Sequence, residues 1–248
     1  MANELLYVPG IGTRYYYASN NNVTLTEIGS GTLTSALESN YPTMTFGGNK
    51  CLYFAFGSGI SSTNLTIEYW MSMPSWNNTG TIHQWGHFSS GYSLWRPIPA
   101  SGSNNVNFQL DFSYPDPEDT VVALADQTTP VHVAEVYDRT DSNYQLKLYV
   151  NGTKVKEHYL NRIWDNAFVL GGSISSASAT APTDSYVGKI SQVLISTTAK
   201  YTANFTPARY TVDTSSMLKA GNPVEGFTAP EISYLDVGGI PYKIVVAS

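Results

Sequence analysis

Paired carboxylates are the first chemistry to look for in a chain this rich in strand residues. A retaining glycosidase needs two carboxyl groups about 5–5.5 Å apart, one as nucleophile and one as acid and base. On a strand this requires Asp or Glu at alternate positions, which share a face. Glu68 stands alone in Leu65-Thr66-Ile67-Glu68-Tyr69-Trp70, and Glu135 is followed by Val136-Tyr137-Asp138, the wrong spacing. No Ser/His/Asp order, Walker loop or dinucleotide turn stands out. The chain therefore reads as non-enzymatic. His83 and His87 are four residues apart. In an extended segment they share a face about 13 Å apart, too far to chelate one metal. His132 and His158 are isolated, so the histidines read as structural.

Sugar recognition is the chemistry that remains. It sets aromatic faces against sugar C–H surfaces and uses Asn, Asp, Arg or Gln to fix hydroxyls. His83-Gln84-Trp85-Gly86-His87, continuing to Tyr92-Ser93-Leu94-Trp95-Arg96, has that mixture. Trp85, Trp95 and Arg96 are the candidate ligand contacts. Trp76 with Asn77 and Asn78, and Trp164 with Asp165 and Asn166, are further candidates in loop-like context. Packing in a core or between subunits is the competing reading for each tryptophan.

The elements that must position these residues are strands. Charged residues make up only 13%, aromatics another 13%, and tyrosine leads with 18. Leu65–Met71 alternates, with Ile67, Tyr69 and Met71 on one face. Val106–Phe112 alternates with Val106, Phe108, Leu110 and Phe112 inward. Gln145–Val150 alternates and runs into Asn151-Gly152, the strongest short hairpin signal, because both residues tolerate φ > 0 in a type I′ turn. Tyr186–Ser196 is another long strand. Helical periodicity is nearly absent, and Thr34–Ser39, around Ala36-Leu37-Glu38, is the best candidate for a short helix. Ser173–Thr183 (SISSASATAPT) and the acidic, proline-rich Tyr114–Asp119 read as loops by composition. Many strands separated by Gly, Pro, Asn and Ser turns point to a sandwich or jelly roll.

The formal net charge is −6 and the pI about 5.1. With no run of Lys or Arg, nucleic acid and anionic membrane surfaces are poor partners. No stretch approaches the ~20 apolar residues of a membrane span. The single cysteine, Cys51, excludes an intrachain disulfide and reads as a small core residue. Met1-Ala2-Asn3-Glu4 lacks the features of a signal peptide, so folding in a cytoplasm is expected. The sequons at Asn22, Asn64, Asn77, Asn151 and Asn204 then read as turn and strand residues.

In order along the chain come Leu65-Thr66-Ile67-Glu68-Tyr69-Trp70, Gly80-Thr81-Ile82, Tyr92-Ser93-Leu94, Val131-His132-Val133-Ala134 with Val136-Tyr137-Asp138, and Leu148-Tyr149-Val150-Asn151-Gly152. Phe168-Val169-Leu170-Gly171-Gly172 and Tyr186-Val187-Gly188-Lys189-Ile190 follow. This ordered set resembles the concanavalin A-like, laminin G-like jelly rolls. The closing Lys200-Tyr201-Thr202-Ala203-Asn204-Phe205-Thr206-Pro207 is similar to the variant common in bacteriophage virion proteins such as tail fibres. One departure is Thr129-Pro130-Val131-His132-Val133-Ala134, where the family usually has Trp-His-His-Val-Ala. The resemblance implies an all-β, two-sheet antiparallel jelly-roll sandwich over about residues 41–212. It leaves 1–40 as an N-terminal extension with the first strands and 213–248 as a C-terminal extension. The apolar pieces Leu5-Leu6-Tyr7-Val8, Tyr15-Tyr16-Tyr17 and Ile244-Val245-Val246 must pair with the domain's own sheet or with another chain. The tail is thus an assembly arm or the completion of the jelly roll.

Hydrolytic relatives of this fold carry Glu-x-Asp-x-x-Glu on one strand, and this chain has no such string. Family members sometimes hold calcium, for which Asp116, Glu118 and Asp119 would offer oxygens. A solvated acidic loop is the alternative. The expected function is a non-enzymatic bacteriophage virion protein, made in the host cytoplasm: a fibre, decoration or receptor-binding subunit whose jelly roll meets host-surface or mucosal glycans. Its expected partners are other virion proteins and further copies of itself. A purely structural virion subunit and a free bacterial lectin are the alternatives.

Overall fold

The computed structural model describes residues 4–8, 10, 15–18, 23–38, 41–57, 64–73, 80–85, 93–99, 105–111, 118–123, 128–141, 146–158, 166–209, 235–237, 240–242 and 245–246. The strands are β1 (Glu4–Val8), β2 (Tyr15–Ala18), β3 (Val23–Ile28), β4 (Leu33–Glu38), β5 (Tyr41–Gly47), β6 (Cys51–Phe56), β7 (Asn64–Ser72), β8 (His83–Trp85), β9 (Ser93–Pro99), β10 (Asn105–Asp111) and β11 (Glu118–Ala123). They continue as β12 (Val131–Asp138), β13 (Leu146–Val150), β14 (Thr153–His158), β15 (Ala167–Leu170), β16 (Gly172–Ser173), β17 (Asp184–Ser185), β18 (Val187–Ser196), β19 (Leu235–Val237), β20 (Ile240–Tyr242) and β21 (Val245–Val246). The described residues contain no helix.

Two antiparallel sheets face each other. The first, sheet A, runs β14-β13-β12-β7-β18-β1-β2-β21, with β5 and β4 branching from β18. The second, sheet C, runs β11-β10-β9-β8-β15-β6-β3. Alternation decides which side chains meet between them. Sheet A sends Ile67, Tyr69 and Met71, Val133 and Tyr137, Leu146, Leu148 and Val150, and Ile190, Val193 and Ile195 into the core. Sheet C answers with Leu52, Phe54, Phe56, Trp85, Phe168 and Leu170. Along β18, one extra residue between Ser191 and Leu194 makes a bulge, with Gln192 at φ 54°. The bulge keeps Ile190 and Ile195 on the same face as Met71 and Ile67, their partners in β7.

The expected Asn151-Gly152 hairpin is present, with φ of 49° and 76° and Val150 paired to Thr153. Asn64, Asn151 and Asn204 spend their side-chain oxygens on the backbone N–H groups of Arg139, His132 and Lys154, the turn-and-strand role expected of the sequons. The first strands join the sandwich: β1 pairs with β18, β3 with β6, and β4 with β5. In the tail, β21 pairs with β2.

Two expectations need correction. Thr34–Ser39 does not start a helix, because Leu33–Glu38 is β4, paired residue by residue with β5 from Leu33↔Phe46 to Glu38↔Tyr41. The ladder outweighs the helical preference of Ala-Leu-Glu. The acidic loop also ends earlier than its composition suggests: Glu118 and Asp119 open β11, paired with Leu110 and Gln109. Phe112 and Asp116 lie outside the described residues. The Ser173–Thr183 loop is as expected, pinched at its base by β16 and β17.

Candidate functional site

The outer face of sheet A is covered over β7, β12 and β13 by the segment after β18. Thr66 Oγ1 donates to Thr198 O at 2.7 Å and accepts from Lys200 N at 3.0 Å. Further on, Phe205 N donates to Gly152 O at 2.9 Å, and Tyr149 OH to Tyr201 O at 3.2 Å. The rings of Tyr201 and Phe205 stack at 3.5 Å and 6°. Phe205 also meets Tyr149 and His132, with centroids at 5.5 and 5.7 Å. Residues 197–209 thus form a strap over β7, β12 and β13.

Glu68, which points outward from β7, anchors that strap. It pairs with Lys200 Nζ, accepts from Tyr201 OH at 2.5 Å, and lies 3.5 Å from His132 Nε2. Burial alone raises the carboxyl. The hydrogen bond from His132, the Lys200 charge and the hydrogen bonds from Lys200 and Tyr201 outweigh burial and hold Glu68 down at about 2. Such a group is locked as an anion and engaged on both oxygens.

Glu135 points the other way. It is 0% exposed, and its Oε1 lies 2.8 Å from His83 Nε2, which comes from β8 in the opposite sheet. Tyr137 OH donates to its Oε2. Tyr69 packs edge-on to His83 at 5.7 Å. Its phenol is pushed well up by burial, with the Glu135 charge and Tyr186 adding to it. These groups form a polar bridge inside the core. Glu68 and Glu135 therefore sit on opposite faces of sheet A and cannot flank one glycosidic bond.

The outer face of sheet C is covered at its centre and open at one side. Gln84 grips the loop after β16: its Nε2 donates to Ile174 O at 3.2 Å, and its Oε1 accepts from Ile174 N at 2.7 Å. Ile174 then packs with Ile28, Cys51 and Val169, flanked by Tyr53 and Ala179. Burial pushes the Cys51 thiol up to about 12, against a smaller lowering by Lys50. Beyond this cover, Thr24 and Thr26 are exposed and Tyr53 is half-buried. Lys50 Nζ pairs with Glu27 at 3.0 Å. Toward the other edge, Gln84 is paired with Leu94. Two residues on, Arg96 pairs with Gln109, and Gln109 with Asp119. A row of Arg, Gln and Asp thus crosses three strands.

The sequence candidates separate on this frame. Trp85 is a correction: it is a core residue, 3% exposed, with Phe56 at 6.3 Å and Phe168 at 5.0 Å. Strand parity puts it with His83 on the inner side and Gln84 on the outer. Trp95 pairs with Leu110, one register row away from Arg96. Trp76, Trp164 and His87 lie outside the described residues. Of the calcium candidates, Glu118 and Asp119 are the first two residues of β11, and Asp116 lies outside the described residues. Among the described residues no group of three or more His, Cys, Asp or Glu could hold a metal ion.

One grouping escaped the sequence reading. Arg209, at the end of the strap, lies over the Tyr41 ring at 3.8 Å and the Trp70 ring at 5.2 Å. The parity of β7 carried a signal: with Ile67, Tyr69 and Met71 inward, Trp70 must face out.

Residues 26–203 match the laminin G-type family described as the concanavalin A-like lectin/glucanases superfamily. The chain belongs to that family, and the match begins within β3. No curated protein sequence matches. Among solved structures the chain is similar to domain 4 of AbnA, an extracellular GH43 arabinanase from Geobacillus stearothermophilus, in complex with arabinotriose. The TM-score is 0.52 at 17% identity, covering 78% of this chain and 93% of that one. It is also similar to the binding domain of botulinum neurotoxin DC in complex with rat synaptotagmin II, with a TM-score of 0.55 at 12% identity over 80% of this chain and 49% of that one. The serotype D binding domain gives 0.54 at 13%, over 80% and 48%. The chain spans about half the length of these two toxin domains. At these identities the likeness is one of fold.

Proposed function

We propose that this chain is a non-enzymatic bacteriophage virion protein, a fibre, decoration or receptor-binding subunit, whose jelly roll recognises host-surface or mucosal glycans. The observation that carries the glycan reading is the asymmetry of the two outer faces. The strap covers sheet A over β7, β12 and β13, whereas sheet C keeps Thr24, Thr26 and Tyr53 accessible, and Arg96, Gln109 and Asp119 share a register row across three of its strands. Exposed hydroxyls and a half-buried aromatic ring suit sugar hydroxyls and C–H faces. The arabinotriose complex of the AbnA domain is a precedent on the same fold. The virion reading rests on the strap, whose residues 200–207 are similar to the form found in tail-fibre proteins. Assembly with other virion proteins and with further copies belongs to the same proposal. The non-enzymatic reading rests on Glu68 and Glu135 facing opposite sides of sheet A.

Binding of the intact chain to an array of neutral and acidic glycans, with Arg96→Ala and Asp119→Ala as variants, tests the ligand. Wild-type binding that the variants weaken about tenfold or more is expected. Silence across the array sinks the glycan reading. Microscopy of purified particles with a labelled antibody tests the location, and absence from particles sinks the virion reading. Turnover of laminarin or a related glucan, abolished by Glu68→Gln, would overturn the non-enzymatic reading. The burial of Trp85 favours a second reading, a purely structural virion subunit. Particle labelling together with a silent array would select it.

A further inference from the structure

Among the described residues, four lysines on the outer face of sheet A are held in ion pairs. Lys147 holds Asp141 at 2.9 Å, and Lys189 holds Glu38 at 2.7 Å. Lys154 and Lys200 hold Glu157 and Glu68. Arg209 has no carboxylate partner among the described residues, and its buried Nε has no hydrogen-bond acceptor among them. Its guanidinium lies instead between two aromatic rings, 3.8 Å from Tyr41 and 5.2 Å from Trp70. Burial draws the guanidinium below its ordinary range, with Tyr41 and Glu38 pulling it back. All three side chains are partly exposed. The walls are fixed: Trp70 Nε1 donates to Ala208 O at 3.4 Å, and Tyr41 pairs in register with Glu38 at the end of β4.

A buried donor with no acceptor is costly, and native structures satisfy nearly all such groups. An arginine has five N–H donors in a planar fork that matches a carboxylate. Partly exposed aromatic rings beside it suit the C–H face of a sugar ring. Glu38, the nearby acid, is held by Lys189, which reduces the repulsion an incoming anion would meet. The chain's net charge of −6 gives no general attraction for anions, so binding here depends on local geometry.

We propose that Arg209, clamped between Tyr41 and Trp70, binds the carboxylate of an acidic sugar, a uronate or sialate residue of a glycan. The proposal rests on the glycan-binding reading above and adds a second site, on the opposite sheet, with its own ligand class.

The test is calorimetric titration of the intact chain with three oligosaccharides: one ending in an acidic sugar, its methyl ester, and its neutral counterpart. The acid should bind at least tenfold more tightly than the ester. Arg209→Gln and Arg209→Lys should each cost tenfold or more for the acid and leave neutral glycans unaffected, because Lys keeps the charge and loses the fork. Tyr41→Ala should weaken the acid as well. Equal binding of acid and ester, or wild-type affinity in Arg209→Lys, overturns the proposal. If Arg209→Gln fails to fold, the Lys variant and the ester still decide. A glutamate-containing peptide that binds as well as the sugar acid overturns the sugar assignment. Binding of neutral glycans alone removes this inference and leaves the broader reading. Binding of no glycan removes both.

Discussion

Replacing Gly152 with valine tests how the hairpin and the strap hold one another. Gly152 has φ 76°, where a residue with a Cβ pays about 1–2 kcal/mol and a β-branched one more. A Cβ built there would also lie 1.9 Å from Phe205 O and 3.0 Å from Pro207 Cδ. Backbone cannot yield as a flexible side chain does, so the strap must lift. Lifting removes the Phe205 N–H bond to Gly152 O, about 0.5–1.5 kcal/mol net. It also loosens the contacts of Phe205 with Tyr149 and His132, about 0.5–1.5 kcal/mol for an aromatic pair. Together these predict a loss of about 3–5 kcal/mol. For a chain of this size each kcal/mol moves Tm by about 2–4 °C, so Tm should fall by roughly 10 °C. Urea titration with linear extrapolation measures the loss directly. Gly152→Ala, with a Cβ and no branch, should fall between wild type and valine. A valine variant with an unchanged urea midpoint would refute both the left-handed turn and its contact with the strap.

Three further outcomes are expected. Glu68 sits at about 2 when folded, below its ordinary value, so the stability it supplies is present above about pH 4.5 and lost as pH falls through about 2. Glu68→Gln should therefore cost on the order of 2–3 kcal/mol near pH 7 and almost nothing at pH 2; a pH-independent difference in urea titrations would contradict this. Gln84→Leu strands the N–H and C=O of Ile174, which Gln84 satisfies, at about 1–3 kcal/mol each. Hydrogen exchange and proteolysis should then quicken within 173–183, and unchanged rates would show that the loop holds itself. The Cys51 thiol, buried and pushed up to about 12, should resist thiol reagents at pH 8 until denaturant is added; reaction at the rate of a free thiol in the native state would refute its burial.

By itself the sequence determined the strands and their turns, because these are local properties of the backbone. Alternation at Leu65–Met71 and Gln145–Val150 announces strands with one buried face, and Asn151-Gly152 supplies the two positive φ values a tight hairpin needs. The lone Glu68 and the spacing after Glu135 already argued against paired carboxylates. Tertiary structure alone decided which groups meet. Trp85 reads like a ligand contact in His83-Gln84-Trp85, but the pairing of β8 with β15 and β9 puts Gln84 outward and Trp85 in the core. Ala36-Leu37-Glu38 suits a helix locally, and the partner that makes it a strand is β5. Periodicity says that residues alternate between faces; it does not say which face another sheet will cover or which distant segment will lie over the other. Arg209, Tyr41 and Trp70 come from three separate stretches of chain, and no local pattern joins them. Only the closing of the strap over sheet A brings a guanidinium between two rings with one buried N–H left to satisfy.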